Sequence, residues 1–181
     1  MEDRWNQASA RCFESALDEC VYGSRLIGSD PDLVLHGGGN TSIKTPFPDV
    51  TGHSFDALFV KGSGWDLATI ERRGFAPLNL SRLRDLLALD SLSDTDMMRE
   101  LTASSFDPVA PAPSVESLVH AYIPHQAVQH SHADAIVSMT NVIDGEACVR
   151  EVFGDSVVVI PYVMPGFDPV SYTHLTLPTK A

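Results

Sequence analysis

The chain has 181 residues, with 24 Asp and Glu against 12 Lys and Arg, a net charge of −12 and no basic run longer than Arg72-Arg73. That balance argues against a nucleic-acid surface and predicts one small-molecule-binding domain of ordinary size. No apolar run approaches the roughly 20 residues needed to cross a bilayer, MEDRWNQ has no signal-peptide core, and Cys12, Cys20 and Cys148 form no CxxC pair, which together predict a cytoplasmic protein without membrane contact.

From Asp3 to Ile27 the apolar residues Trp5, Ala8, Cys12, Ala16, Leu17 and Cys20 recur at helical spacing before Gly28, predicting one long amphipathic helix. DLVLHGGGNTSIKT reads as a short strand over Leu33 to His36, a glycine turn and a second strand; DALFVKGSGWDLATI repeats the plan with a strand through Val60 into Gly62-Ser63-Gly64. Leu80, Leu83, Leu86 and Leu87 predict a helix, and Ser93 caps another carrying Met97, Met98 and Leu101. SSFDPVAPAPS is a proline-rich loop. It leads to a short helix in SVESLVHAYIP, with Ser114 as N-cap and Pro124 as the stop. A strand through Met139 follows, then a helix near Gly145 to Phe153 and a strand in SVVVIPYVM. Strands outnumber crossover-length helices, which favours a mixed or antiparallel sheet flanked by helices.

The residues after Pro169 break with this pattern. Val170 to Leu175 reads as the translation of a sequencing-library adapter, GTC TCT TAT ACA CAT CT, so the expected organisation is a C-terminally truncated domain over 1–169 and an artefactual tail over 170–181.

The chemistry concentrates in four places. His130 and His132 can share one face only on a strand, where their Cα atoms lie roughly 7 Å apart. Alone, a motif as short as HxH is more often an exposed edge or a satisfied core feature than a metal site. Glu116 and His120 lie four apart, on one face of the short helix that runs into the histidine strand, and this favours function. The bland alternative makes Glu116 a helix-start residue and His120 a solvated one. GGGNTS and KGSGWD fit neither the dinucleotide nor the P-loop pattern, but each follows a strand with small residues and hydroxyls suited to an anion. In so acidic a chain, an anion must be drawn in locally, by a metal, Lys44, Lys61 or backbone amides.

These segments, GGGNTS (Gly37 to Ser42), KGSGWD (Lys61 to Asp66), PSVESLVH (Pro113 to His120) and HSHADAI (His130 to Ile136), resemble in order and spacing the class II aldolase and adducin family. LVLHGGGNTSIK, FVKGSGWDLATI and PYVMPGFD are most similar to the N-terminal aldolase half of bifunctional rhamnulose-1-phosphate aldolase/short-chain dehydrogenase proteins. The resemblance implies a three-layer α/β/α fold with a central mixed, largely antiparallel sheet, and a homo-oligomer, often a tetramer. It implies a divalent metal, zinc for preference, held by His130 and His132, with Glu116 as catalytic acid/base and further ligand. The phosphate of a small sugar phosphate would fall on Gly39, Asn40, Ser63, Gly64 and Ser114, while Val115 stands where some members have a second serine. The family's third histidine follows the PYVMPGFD segment and precedes a glycine; His174, in YTHLT, does not match it.

The implied reaction is metal-dependent cleavage of a ketose 1-phosphate, rhamnulose 1-phosphate for preference, to dihydroxyacetone phosphate and lactaldehyde. NAD would enter only through a dehydrogenase domain absent from this chain, and the fragment alone is expected to be inactive. The alternatives are a sugar-phosphate epimerase or dehydratase on the same scaffold, or a non-catalytic adducin-like assembly module.

Overall fold

A computed structural model describes residues 3–162. The elements in chain order are α1 (Gln7–Ala10), α2 (Ala16–Gly28), β1 (Asn40–Pro48), β2 (Ser54–Lys61), β3 (Phe75–Asn79), α3 (Leu80–Leu87), α4 (Asp94–Ala103), α5 (Ser117–Tyr122), β4 (Ala127–His130), α6 (Asp134–Thr140) and α7 (Gly145–Phe153). The strands form one sheet in the order β3-β2-β1-β4, every neighbouring pair antiparallel.

Strand alternation sends successive side chains to opposite faces of this sheet, and each face is covered by helices. Leu58, Val60, Ala76 and Leu78 point to one side and pack with Leu80, Leu83 and Leu86 of α3, Met97 and Leu101 of α4, and Leu118 of α5. Phe59 and Phe75 point to the other, where Leu17, Cys20 and Val21 of α2 join Val34, Leu67 and Ile70. The result is the three-layer α/β/α arrangement expected.

The long N-terminal helix divides in two. Ser15 accepts from the Asp18 amide while the Asp18 carboxylate accepts from the Ser15 amide, a capping box that begins α2 afresh. Arg72 secures the same corner through a salt bridge to Asp18 and a hydrogen bond to Ser15 Oγ.

Leu33 to His36 is not a strand but irregular backbone between two turns leading to the glycine loop; Leu35 is exposed and His36 has φ +45°. β3 was not expected, because Pro77 interrupts its pattern. It occupies an edge of the sheet, and Pro77 turns its carbonyl away from β2 to accept from the Phe106 amide at 2.8 Å, so proline's missing N–H removes no bond of the β2–β3 ladder. The histidine strand ends at His130, and Asp134–Thr140 is helical rather than a continuation to Met139. Val157 has extended backbone, yet among the described residues no strand pairs with 157–162, so the expected strand is not formed over them. The remainder of that run, the boundary at 169 and the tail over 170–181 lie outside the described residues.

Candidate active site

β1 brings the site together. Antiparallel register sets Asn40 opposite His130 and Ser42 opposite Val128, so the glycine-loop motif and the histidine motif meet across one strand pair. Asn40, Ser42 and Lys44 face α5, whereas Thr41 faces α2, where its hydroxyl lies 2.7 Å from Ser24 Oγ.

Glu116 closes the junction from above. The expected N-cap, Ser114, instead makes a tight turn in which its hydroxyl accepts from the Glu116 amide at 3.2 Å, and the helix proper begins at Ser117 with Glu116 as cap residue. This displacement points Glu116 at β4, where Oε1 stands 2.9 Å from His130 Nδ1. Burial alone would raise the Glu116 pKa, but the His130 hydrogen bond and charge, His120 and the Asn40 amide bring it below the ordinary carboxylate value. Glu116 is thereby kept ionised.

The His132 ring lies 4.8 Å from that of His130, centroid to centroid, although His132 is already beyond the strand; its amide donates to Leu33 O at 2.8 Å. Two imidazoles and a carboxylate are a donor set suited to a zinc-like ion. Among the described residues, no group of three or more His, Cys, Asp or Glu stands in metal-holding geometry. Glu116 pairs with His130 directly.

A cavity of about 360 Å³ opens beside these groups, lined by both glycine loops, Asn40, Lys61, Ser114, Glu116 and His132. The predicted phosphate residues Gly39, Asn40, Ser63, Gly64 and Ser114 all border it. The amides of Gly38, Gly62 and Ser63 are already bonded to the carbonyls of Leu35, Gly74 and Ala112, so less of the expected amide cradle remains for an anion. Lys61 compensates in charge. It is 4% exposed, its ammonium donates to Gly37 O at 3.0 Å, and its pKa is lowered by burial against the opposing pull of Glu116 and Asp66. From sequence Lys61 is legible only as a general attractor of anions, although the position of KGSGWD after a strand is itself a signal for it.

His120 is the other group underestimated from sequence. It is 2% exposed rather than solvated, Nδ1 lies 2.8 Å from Ser42 Oγ, and burial lowers its pKa to about 4, keeping the ring neutral. Asn40 is equally buried, and among the described residues its Oδ1 has no partner, an unmet acceptor on the cavity wall. His174 lies outside the described residues.

Comparisons with known proteins agree with this architecture. A family model described as Class II Aldolase and Adducin N-terminal domain matches residues 18–174. The solved N-terminal class II aldolase domain of a conserved protein from Thermoplasma acidophilum is 43% identical, with a TM-score of 0.88, covering 99% of this chain and 82% of that one. The uncharacterized oxidoreductase YuxG of Bacillus subtilis (strain 168) is 39% identical over 163 residues, 90% of this chain but 24% of its own length. The chain thus spans about a quarter of that relative.

Proposed function

Because this chain belongs to the class II aldolase and adducin N-terminal domain family, we propose that it is the aldolase part of a metal-dependent lyase that cleaves rhamnulose 1-phosphate to dihydroxyacetone phosphate and lactaldehyde. The family in general uses a divalent metal, binds sugar phosphates and forms oligomers. The observation that carries the reading is the ionised Glu116, 2.9 Å from His130, at a cavity also lined by Lys61, Ser63 and Ser114.

A zinc-like ion held by His130 and His132, with Glu116 as further donor, would supply Lewis acidity to the ketose carbonyl and hydroxyl oxygens. Glu116 takes the proton of the hydroxyl beside the breaking carbon–carbon bond, and a carboxylate there can return a proton to the carbon left behind. Ser63, Ser114, Gly39, Asn40 and Gly64 hold the phosphate end, and Lys61 offsets its charge against the net charge of −12. The oxidoreductase name of the Bacillus relative is in keeping with a dehydrogenase portion that would oxidise the aldehyde with NAD.

The test is a product assay on the complete gene product with rhamnulose 1-phosphate. Dihydroxyacetone phosphate should appear, cease under a chelator and return with zinc; Glu116→Gln should slow release by roughly a hundredfold or more. Turnover without dihydroxyacetone phosphate would replace the aldolase with an epimerase or dehydratase. Unchanged metal content in His130→Ala, with no turnover in the unaltered protein, would favour an adducin-like module.

A further inference from the structure

Three alternate residues of β1 meet α5 in order from its first turn to its last. The Asn40 side-chain amide stands close enough to the Glu116 carboxylate to help hold its pKa down. Ser42 Oγ is 2.8 Å from His120 Nδ1. The Lys44 ammonium donates to His120 O at 2.7 Å, Ile123 O at 2.7 Å and His125 O at 2.8 Å. Two residues of strand rise about 6.8 Å, while four residues of helix rise about 6 Å. One strand step therefore keeps pace with the helix spacing from Glu116 to His120.

We propose that Asn40, Ser42 and Lys44 form a polar rail that fixes α5 against the sheet, making Lys44 and His120 positioning residues for Glu116. Ser42 sets the rotation of the helix through a buried ring, and Lys44 sets its height by gathering the carbonyls of its last turn and of the link into β4. The same link leads to His130, so Lys44 governs the separation of Glu116 and His130 from a position that touches neither. Two of the three bonds, to His120 O and Ile123 O, satisfy carbonyls at the end of a six-residue helix that would otherwise lack intrahelical donors, and the third holds the link at His125. The geometric inference stands on these contacts; its catalytic consequence rests on the proposed role of Glu116.

The experiment compares Lys44→Met, Lys44→Arg and Ser42→Ala in the complete gene product. Amide exchange along residues 116–123, the ring-nitrogen NMR signals of His130 and retro-aldol kinetics are followed together. In Lys44→Met, exchange at His120 and Ile123 should accelerate about tenfold or more while Leu58 and Leu78 keep their protection. The His130 Nδ1 signal should move, and kcat should fall about tenfold with KM within about twofold. Lys44→Arg, which retains a multiple donor, should recover most of each change, and Ser42→Ala should move the His130 signal without loosening Ile123. Unmoved His130 signals and unchanged exchange in Lys44→Met would overturn the rail. Equal loss of protection at Leu58 and Leu78 would overturn it too, by making Lys44 a general fold residue. If the unaltered protein shows no aldolase turnover while the exchange and ring signals respond as expected, the rail stands and the functional reading fails.

Discussion

Gly39 and Gly64 have nearly the same backbone conformation but very different surroundings, and alanine at each position should separate strain from crowding. Their φ angles are +69° and +82°, in the left-handed region where a Cβ costs roughly 1–2 kcal/mol. At Gly64 a Cβ would meet nothing within 4 Å, so Gly64→Ala should cost only that amount. At Gly39 it would lie 2.7 Å from Val34 Cγ1, 2.8 Å from His130 O and 3.2 Å from Leu67 Cδ1. The Val34 methyl can turn aside; the His130 carbonyl is backbone and can yield only by moving the end of β4. Overpacking of this kind adds about 1–3 kcal/mol, giving Gly39→Ala a total near 2–5 kcal/mol. With a urea slope of about 2 kcal/mol/M, the two midpoints should differ by roughly 1 M. Equal midpoints in urea titrations followed by circular dichroism would refute this account of the glycine loop, since they would mean that β4 does not press on Gly39.

Two further outcomes follow from the packing and the charges. Arg72→Ala should destabilise the fold at neutral pH: the Arg72 hydrogen bond, opposed by burial, holds the Asp18 carboxyl below its unfolded value of 3.8. A lowered carboxylate contributes stability above its unfolded pKa and loses it as pH falls through the folded one, so the difference between variant and parent should shrink towards about pH 2. A penalty that stays constant through that acid range, read from urea midpoints, would exclude the ion pair as its source. Leu118→Ala, at a fully buried position of α5, should cost roughly 2–5 kcal/mol. Val115→Ala, at a position 42% exposed, should stay within about 0.5 kcal/mol in the same measurement.

Elements defined by a local period were legible in the sequence. α3 and α4 have their leucines and methionines at helical spacing and side-chain caps from Asn79 and Ser93, and β2 carries the short apolar run Ala57 to Val60, buried or half-buried along its length. The misread elements are those where two local signals competed. The apolar repeat through residue 20 concealed the Ser15-Asp18 capping box, although that S-x-x-D pattern was itself in the sequence. Pro77 concealed β3, because a strand proline is acceptable only at an edge and edge position is a property of the whole sheet. The β-branched run from Val157 had strong strand propensity but has no paired neighbour among the described residues, and propensity alone supplies no partner.

The site divides in the same way. Glu116, His130, His132 and the glycine loops stood out because their residue types are chemically conspicuous and their motifs short. The burial of His120 and the clamp made by Lys44 did not, since the partners of both lie 76 to 81 residues away and depend on strand register. Register carries more here than any single motif. Asn40 faces His130 across β1 and β4, and a slip of one residue would turn His130 to the α2 side of the sheet, away from Glu116. That pairing spans four residue pairs, so few ladder bonds hold it. The close approach of the Gly39 backbone to His130 O bears on one end of β4, the Lys44 hold on His125 O bears on the link at its other end, and Glu116 meets His130 from the α5 side. A four-residue strand that must deliver one imidazole to one carboxylate is thus kept in register from both ends and from the helix above it.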